Sequence, residues 1–122
     1  MMIIAGAAIL LVGCRPDVSP ETRRADIRGR VTGIIPASDA IRKRNVAGFI
    51  QVEGIREPDT EYDKAAITVA DTSTIMIERG GERRPATFAD IIKGDSIEGG
   101  FGGPVMESYP VQATARYITI VR

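Results

Sequence analysis

The sequence predicts a mainly β domain, a small barrel of five short strands with one short helix between the third and fourth. Three observations predict it. Apolar and polar residues alternate over five separate short runs, the period of half-buried strands. Glycine, proline, asparagine and aspartate punctuate the gaps between those runs. The period changes once, to helical spacing, at Phe88, Ile91 and Ile92, and that change lies between the third and fourth runs.

Taken in order, residues 3–12 form an uncharged apolar run broken only by Gly6. Such a run is too short to span a bilayer, which needs about 20 residues, but it suits the hydrophobic region of a signal peptide. It ends in Leu11-Val12-Gly13-Cys14, and the chain then turns polar at Arg15-Pro16-Asp17. These four residues resemble the bacterial lipobox, in which the cysteine thiol takes diacylglycerol. The chain departs from that pattern in having no basic residue before Ile3. Residues 15–25 hold two prolines, several charges and little that is apolar, the composition of a solvated tether. The expected organisation is a lipoprotein signal peptide over 1–13, a lipidated Cys14 and tether over 14–25, and one domain over 26–122.

Residues 27–35 alternate apolar or glycine with polar and predict a first strand, its glycines suited to a strong bend. Residues 36–45 are a loop carrying Arg42-Lys43-Arg44. Residues 47–53 predict a second strand with Ile50 and Val52 on one face. Residues 57–63 read as a polar, solvated connection. Residues 65–70 predict a third strand with Ile67 and Val69 inward, extended after a turn at 71–73 by residues 74–79, with Ile75 and Ile77 on one side. Gly80-Gly81 is a turn signal. Thr87 can cap a short helix and Gly94 can close it, leaving Phe88, Ile91 and Ile92 to plug a core. Residues 95–101 predict the fourth strand, and residues 114–121 the last, with Ile118 and Ile120 inward. Between them, 102–112 reads as a shaped loop, because its glycines and prolines break a regular strand. Three strands, a helix and two strands is the order of an OB-fold, a partly open Greek-key barrel. A small SH3-like barrel is the alternative.

Composition narrows the chemistry. Sixteen basic and sixteen acidic residues balance, so no global field favours nucleic acid or an anionic membrane. Histidine is absent, which removes the commonest general base and the commonest zinc ligand. One cysteine excludes an intrachain disulfide. The acidic stretch Glu57 to Asp63 invites comparison with a calcium loop, but counting from Glu57 or Asp59 puts Tyr62 or Lys64 where glycine belongs. Arg42, Lys43 and Arg44 lie in the loop between strands one and two. Glu107, Ser108, Tyr109 and Gln112 lie in the loop between strands four and five. In OB-folds these two loops flank the ligand face, so the seven residues are the candidate binding rim. A serine nucleophile at Ser108 would need a base held by a third group, and neither a histidine nor a Ser-x-x-Lys pair exists. No catalytic residue, metal or cofactor is implied.

The run Gly103-Pro104-Val105-Met106-Glu107-Ser108-Tyr109-Pro110-Val111-Gln112-Ala113-Thr114-Ala115 resembles the signature of the YobA-like family, small bacterial extracytoplasmic proteins that are often lipid-anchored. The likeness continues through Lys93-Gly94-Asp95, Glu61-Tyr62-Asp63-Lys64-Ala65 and Asp26-Ile27-Arg28-Gly29, and departs at Gly99-Gly100. It implies an OB-type barrel and a surface address, with no activity attached.

The expected function is a non-catalytic binding or interaction module at the bacterial envelope, held by its lipid and engaging an envelope protein or polymer. An oligonucleotide- or oligosaccharide-binding barrel is the alternative, and a small hydrolase is less favoured. Few aromatics weaken the nucleic-acid version, since single strands are bound by stacking. If Cys14 is lipidated, the full-length chain partitions with membranes and Cys14→Ser releases it. Membrane fractionation checks this, and a wild-type chain recovered unprocessed in the soluble cytoplasm would contradict it.

Overall fold

The computed structural model describes residues 25–122. The expected signal peptide, Cys14 and all of the tether but Ala25 lie outside the described residues. Ala25 itself is buried, and the Asp26 N–H donates to the Gly99 carbonyl at 2.9 Å, so the domain takes in a residue expected in the tether.

The elements are β1 (Ile27–Pro36), a one-turn helix α1 (Asp39–Arg42), β2 (Val46–Glu53), β3 (Lys64–Ala70), β4 (Thr74–Arg79), β5 (Glu82–Pro85), a 3-10 turn (Phe88–Asp90), β6 (Ser96–Met106) and β7 (Val111–Val121). They form one sheet in the order β3-β2-β1-β6-β7-β4-β5, and parallel pairing of β3 with β7 closes it. The closed ring is therefore β1-β2-β3-β7-β6, the five-stranded connectivity of an OB-type barrel. The β4–β5 hairpin is added outside that ring.

Strand β7 meets two partners along one edge. Val111 to Thr114 run parallel to Ala65 to Thr68 of β3, and Tyr117 to Val121 run parallel to Thr74 to Glu78 of β4. The expected extension of the third strand is thus real. At the break, the Ser73 hydroxyl donates to the Ala115 carbonyl at 2.6 Å and accepts from the Ala70 N–H at 3.0 Å. One side chain bridges the gap where the backbone ladder changes partner.

Alternation fixes which side chains fill the barrel. Ile27, Val31, Ile50, Val52, Ile67, Val69, Ile97, Ile118 and Ile120 are buried together, and Ile75 and Ile77 extend the same core under the hairpin. The facings expected for β2, β3 and β7 all hold. The plug is smaller than expected. Phe88 packs across Gly48, where a Cβ would overlap the ring, and Ile91 is buried, but Ile92 is 58% exposed. The backbone leaves the helical path at Ile91. The Ile92 N–H turns instead to the Asp95 carboxylate at 2.9 Å, and Gly94 adopts φ +98°. Burial pushes the Asp95 pKa up, but hydrogen bonds from Arg122 and the Ile92 N–H outweigh it and hold the carboxyl below the usual range.

Four local expectations are corrected. The 36–45 loop holds α1, whose start is capped by Ser38, its Oγ accepting from the Ile41 N–H at 3.3 Å. Residues 82–85 form a strand, because Gly80 and Gly81 at positive φ fold them back onto β4. The shaped segment at 102–112 is mostly strand. Strand β6 runs through Gly102, Gly103 and Pro104 to Met106, absorbing them in register shifts against β7, so only 107–110 connect the strands. The 57–63 connection is stapled rather than merely solvated. Arg28 on β1 donates to Glu98 Oε2 at 2.7 Å, to Glu57 Oε1 at 2.8 Å and to both Asp59 oxygens at 2.6 and 2.7 Å. Those bonds, Asp59's first and Glu98's next, raise the guanidinium pKa beyond its ordinary value.

Ile67, Ile97 and Ile118 come from three different strands of the ring and are no more than 2% exposed. Truncating each to alanine should cost about 2–5 kcal/mol. Urea denaturation measures it, and losses under about 0.5 kcal/mol at all three would place these side chains outside the core.

Candidate functional site

Residues directly opposite one another in a ladder point to the same face of the sheet. The register across β1, β2, β3, β7 and β6 therefore lays the outward side chains of the barrel in transverse rows. One row is Ile35, Phe49, Thr68, Thr114 and Gly102. The next is Gly33, Gln51, Ala66, Gln112 and Met106. Burial agrees, since Phe49, Gln51, Ala66 and Thr68 are half-buried beside fully buried inward neighbours, while Gln112 and Thr114 are exposed.

Chemically the two rows are uniform. They carry two amides, two hydroxyls, one aromatic ring and two exposed apolar side chains, Ile35 at 64% and Met106 at 61%. No residue in either row is charged. The side chains of Gln51, Thr68, Gln112 and Thr114 make no hydrogen bond among the described residues, so their donors and acceptors face outward for an incoming group. A shallow depression of about 400 Å³ lies at one side of the rows, lined by Thr68, Pro104, Val105, Met106, Gln112 and Thr114.

The candidate rim residues do not meet. Asn45, just past Arg42-Lys43-Arg44, accepts from the Asp71 N–H at 2.8 Å, which puts the basic triplet at the Ala70 end of β3. Tyr109 lies at the Lys64 end, its hydroxyl donating to Asp63 Oδ2 at 3.1 Å and its ring 5.4 Å from the Lys64 ammonium. Seven residues of strand separate them, about 20 Å. The two loops stand at opposite ends of the outward face instead of bordering one groove. Gln112 alone of the seven lies on the face itself.

The 107–110 connection is clamped by its own hydrogen bonds. The Ser108 hydroxyl donates to the Pro110 carbonyl at 2.8 Å, which ties it to its own loop. Glu107 accepts from the Tyr62 hydroxyl at 3.4 Å. Burial, followed by the nearby Glu107 and Glu61 charges, raises the Tyr62 pKa. The Tyr62 ring stacks on Phe101, with centroids 5.7 Å apart. Neither Ser108 nor Glu107 faces the other as nucleophile and base. Among the described residues no three carboxylates or thiols are grouped to hold a metal ion, and Glu57 and Asp59 are turned to Arg28.

Phe49, Gln51, Thr68 and Thr114 escape sequence reading, because an outward position on a strand looks like any solvated one until its neighbours are known. The alternation around Ile50, Val52, Ile67 and Val69 is the signal that could have found the first three. Comparison with models of known protein families, with curated proteins and with solved structures finds no match to this chain.

Tyr109 is 68% exposed, so its role in the clamp is peripheral. Tyr109→Ala should cost less than about 1 kcal/mol, whereas Tyr62→Ala, losing the stack on Phe101, should cost about 2 kcal/mol or more. Denaturant midpoints of the two variants check the order, and the reverse order would make Tyr109 the structural residue.

Proposed function

We propose that this chain is a non-catalytic binding module held outside the bacterial membrane by a lipid on Cys14, and that its barrel takes an uncharged, hydroxyl-rich polymer such as a neutral glycan. The observation that carries the reading is the outward double row of amides and hydroxyls around Phe49. Sugars present hydroxyls that both donate and accept, which amides and threonines answer in kind. They also present apolar C–H faces, which an aromatic ring covers well.

Charge separates this from the nucleic-acid reading. Binding of a phosphate backbone draws its affinity from lysine and arginine, and neither row holds one. The basic triplet lies beyond the Ala70 end of the face. The membrane address is supported by the lipobox-like Leu11-Val12-Gly13-Cys14 and by the resemblance to the YobA-like family. Among the described residues no helix is long and apolar enough to cross a bilayer, so anchoring in this reading rests on the lipid.

The test is retention of the detergent-solubilised full-length chain on gels containing dextran, a mixed-linkage β-glucan or no polymer. Retardation by one neutral glycan is expected, with Phe49→Ala and Gln112→Ala each weakening it about tenfold while the denaturation midpoint changes little. Retardation unaltered in both variants would move the site off this face. Tight, salt-sensitive binding of single-stranded DNA in place of glycan would overturn the reading.

A further inference from the structure

A second concavity lies along the far half of β7, past Arg116, where the β4–β5 hairpin stands beside the barrel. It measures about 340 Å³ and is lined by Thr74, Met76, Arg83, Glu98, Arg116, Tyr117 and Thr119. Small-ligand sites begin at about this size.

The register explains how it is built. Met76 on β4, Thr119 on β7 and Glu98 on β6 stand side by side as one row, and Thr74, Tyr117 and Gly100 form the next. Gly100 is necessary to that second row. The Tyr117 ring lies over its Cα, in space that any Cβ would occupy. A bulge between Gly100 and Phe101 gives β7 its extra residue there, and Arg116 and Tyr117 emerge together with the guanidinium 5.3 Å from the ring centre.

Two features of this groove point to a ligand. Thr119 is 3% exposed and lines the groove, yet its hydroxyl makes no hydrogen bond among the described residues. A buried hydroxyl without a partner is uncommon and is stabilised when an incoming group supplies one. The second feature is charge. Glu98, the one acid in the lining, is bound by Arg28 Nε at 2.7 Å. Arg83 holds Glu78 through Nε at 3.0 Å, leaving its two terminal nitrogens for another acceptor. Arg116 contacts the Tyr117 ring and has no carboxylate partner among the described residues. The lining thus offers two guanidinium forks around a hydroxyl floor.

We propose that this groove is a site for a small hydroxylated anion of about monosaccharide size, its carboxylate or phosphate held by Arg116 and Arg83 and a hydroxyl or carbonyl oxygen received by Thr119. Arginine suits planar, bidentate recognition of either oxyanion. The Tyr117 ring walls the body of the ligand, and the Met76 thioether gives that wall an adaptable apolar neighbour. This site shares no residue with the Phe49 face, so it stands or falls separately from the proposed glycan binding.

The experiment is amide chemical-shift titration of the full-length chain in detergent with glucuronate, glucose 6-phosphate and glucose. Saturable shifts centred on Thr74, Met76, Tyr117 and Thr119 are expected with at least one of the two anions and not with glucose. Whichever anion binds more tightly identifies the carboxylate or the phosphate as the group recognised. Arg116→Ala should weaken that binding about tenfold or more, Arg116→Lys should restore part of it, and Thr119→Val, which keeps the shape, should weaken it about threefold to tenfold. Phe49→Ala should leave it unchanged. Absence of groove shifts with both anions at millimolar concentration, equal response to glucose, or indifference to Arg116→Ala and Thr119→Val would each overturn the proposal.

Discussion

Everything in this fold hangs on the double pairing of β7. Along one edge it meets β6, and along the other it meets β3 and then β4, so its backbone groups are satisfied on both sides over most of its length. The cost of such an arrangement is a discontinuity where the second partner changes. Ser73 removes that cost with one hydroxyl, reaching from the β3–β4 turn to the Ala115 carbonyl. The bulge on the other edge falls at the same level, between Gly100 and Phe101. A change of partner along one edge and a register shift along the other therefore coincide. Both the closure of the ring and the attachment of the hairpin follow from this one strand.

The two outward surfaces differ because their neighbours differ. On the β2–β3–β7 side, strands paired in regular register present small polar side chains in rows, and charge is held at the strand ends. On the β6–β7–β4 side, the bulge turns Arg116 outward beside Tyr117 and the hairpin brings Arg83 alongside. The inward set is almost entirely isoleucine and valine on both sides. Burial fixes which residues point in, while register and irregularity decide what the outside offers.

Much of the architecture was legible in the sequence, because alternation reports facing directly. Ile67 and Val69, and Ile118 and Ile120, could be placed inward from their spacing alone, and the turn at 71–73 could be read as extending the third strand. Two stretches of strand were not legible. Strand β5, Glu82-Arg83-Arg84-Pro85, has no apolar alternation, since all four residues are exposed and only the Gly80-Gly81 turn brings them to β4. The part of β6 past Phe101 is hidden by Gly102, Gly103 and Pro104, which read as loop but are tolerated where the ladder shifts register. Gly100 has its explanation in three dimensions, because Tyr117, seventeen positions past it, fills the place of the missing side chain. Of the residues expected to rim one groove, Arg42 ends α1 and Gln112 lies in β7, and the separation of the two loops by the length of β3 could not be read without the register.

The position of β7 in the chain also orders events in time. It is the last strand described, yet ring closure requires it to lie between β3 and β6. Until it arrives, β1 to β3 and β6 can make only an open sheet with apolar residues uncovered on one side. Contacts between segments far apart along a chain form late, because the loop between them must first be closed. The barrel is therefore completed only when its final strand is available. A chain cut short before Val111 would therefore leave the edges of β3 and β6 that face β7 unpaired, and an unpaired strand edge is a template for pairing with another chain.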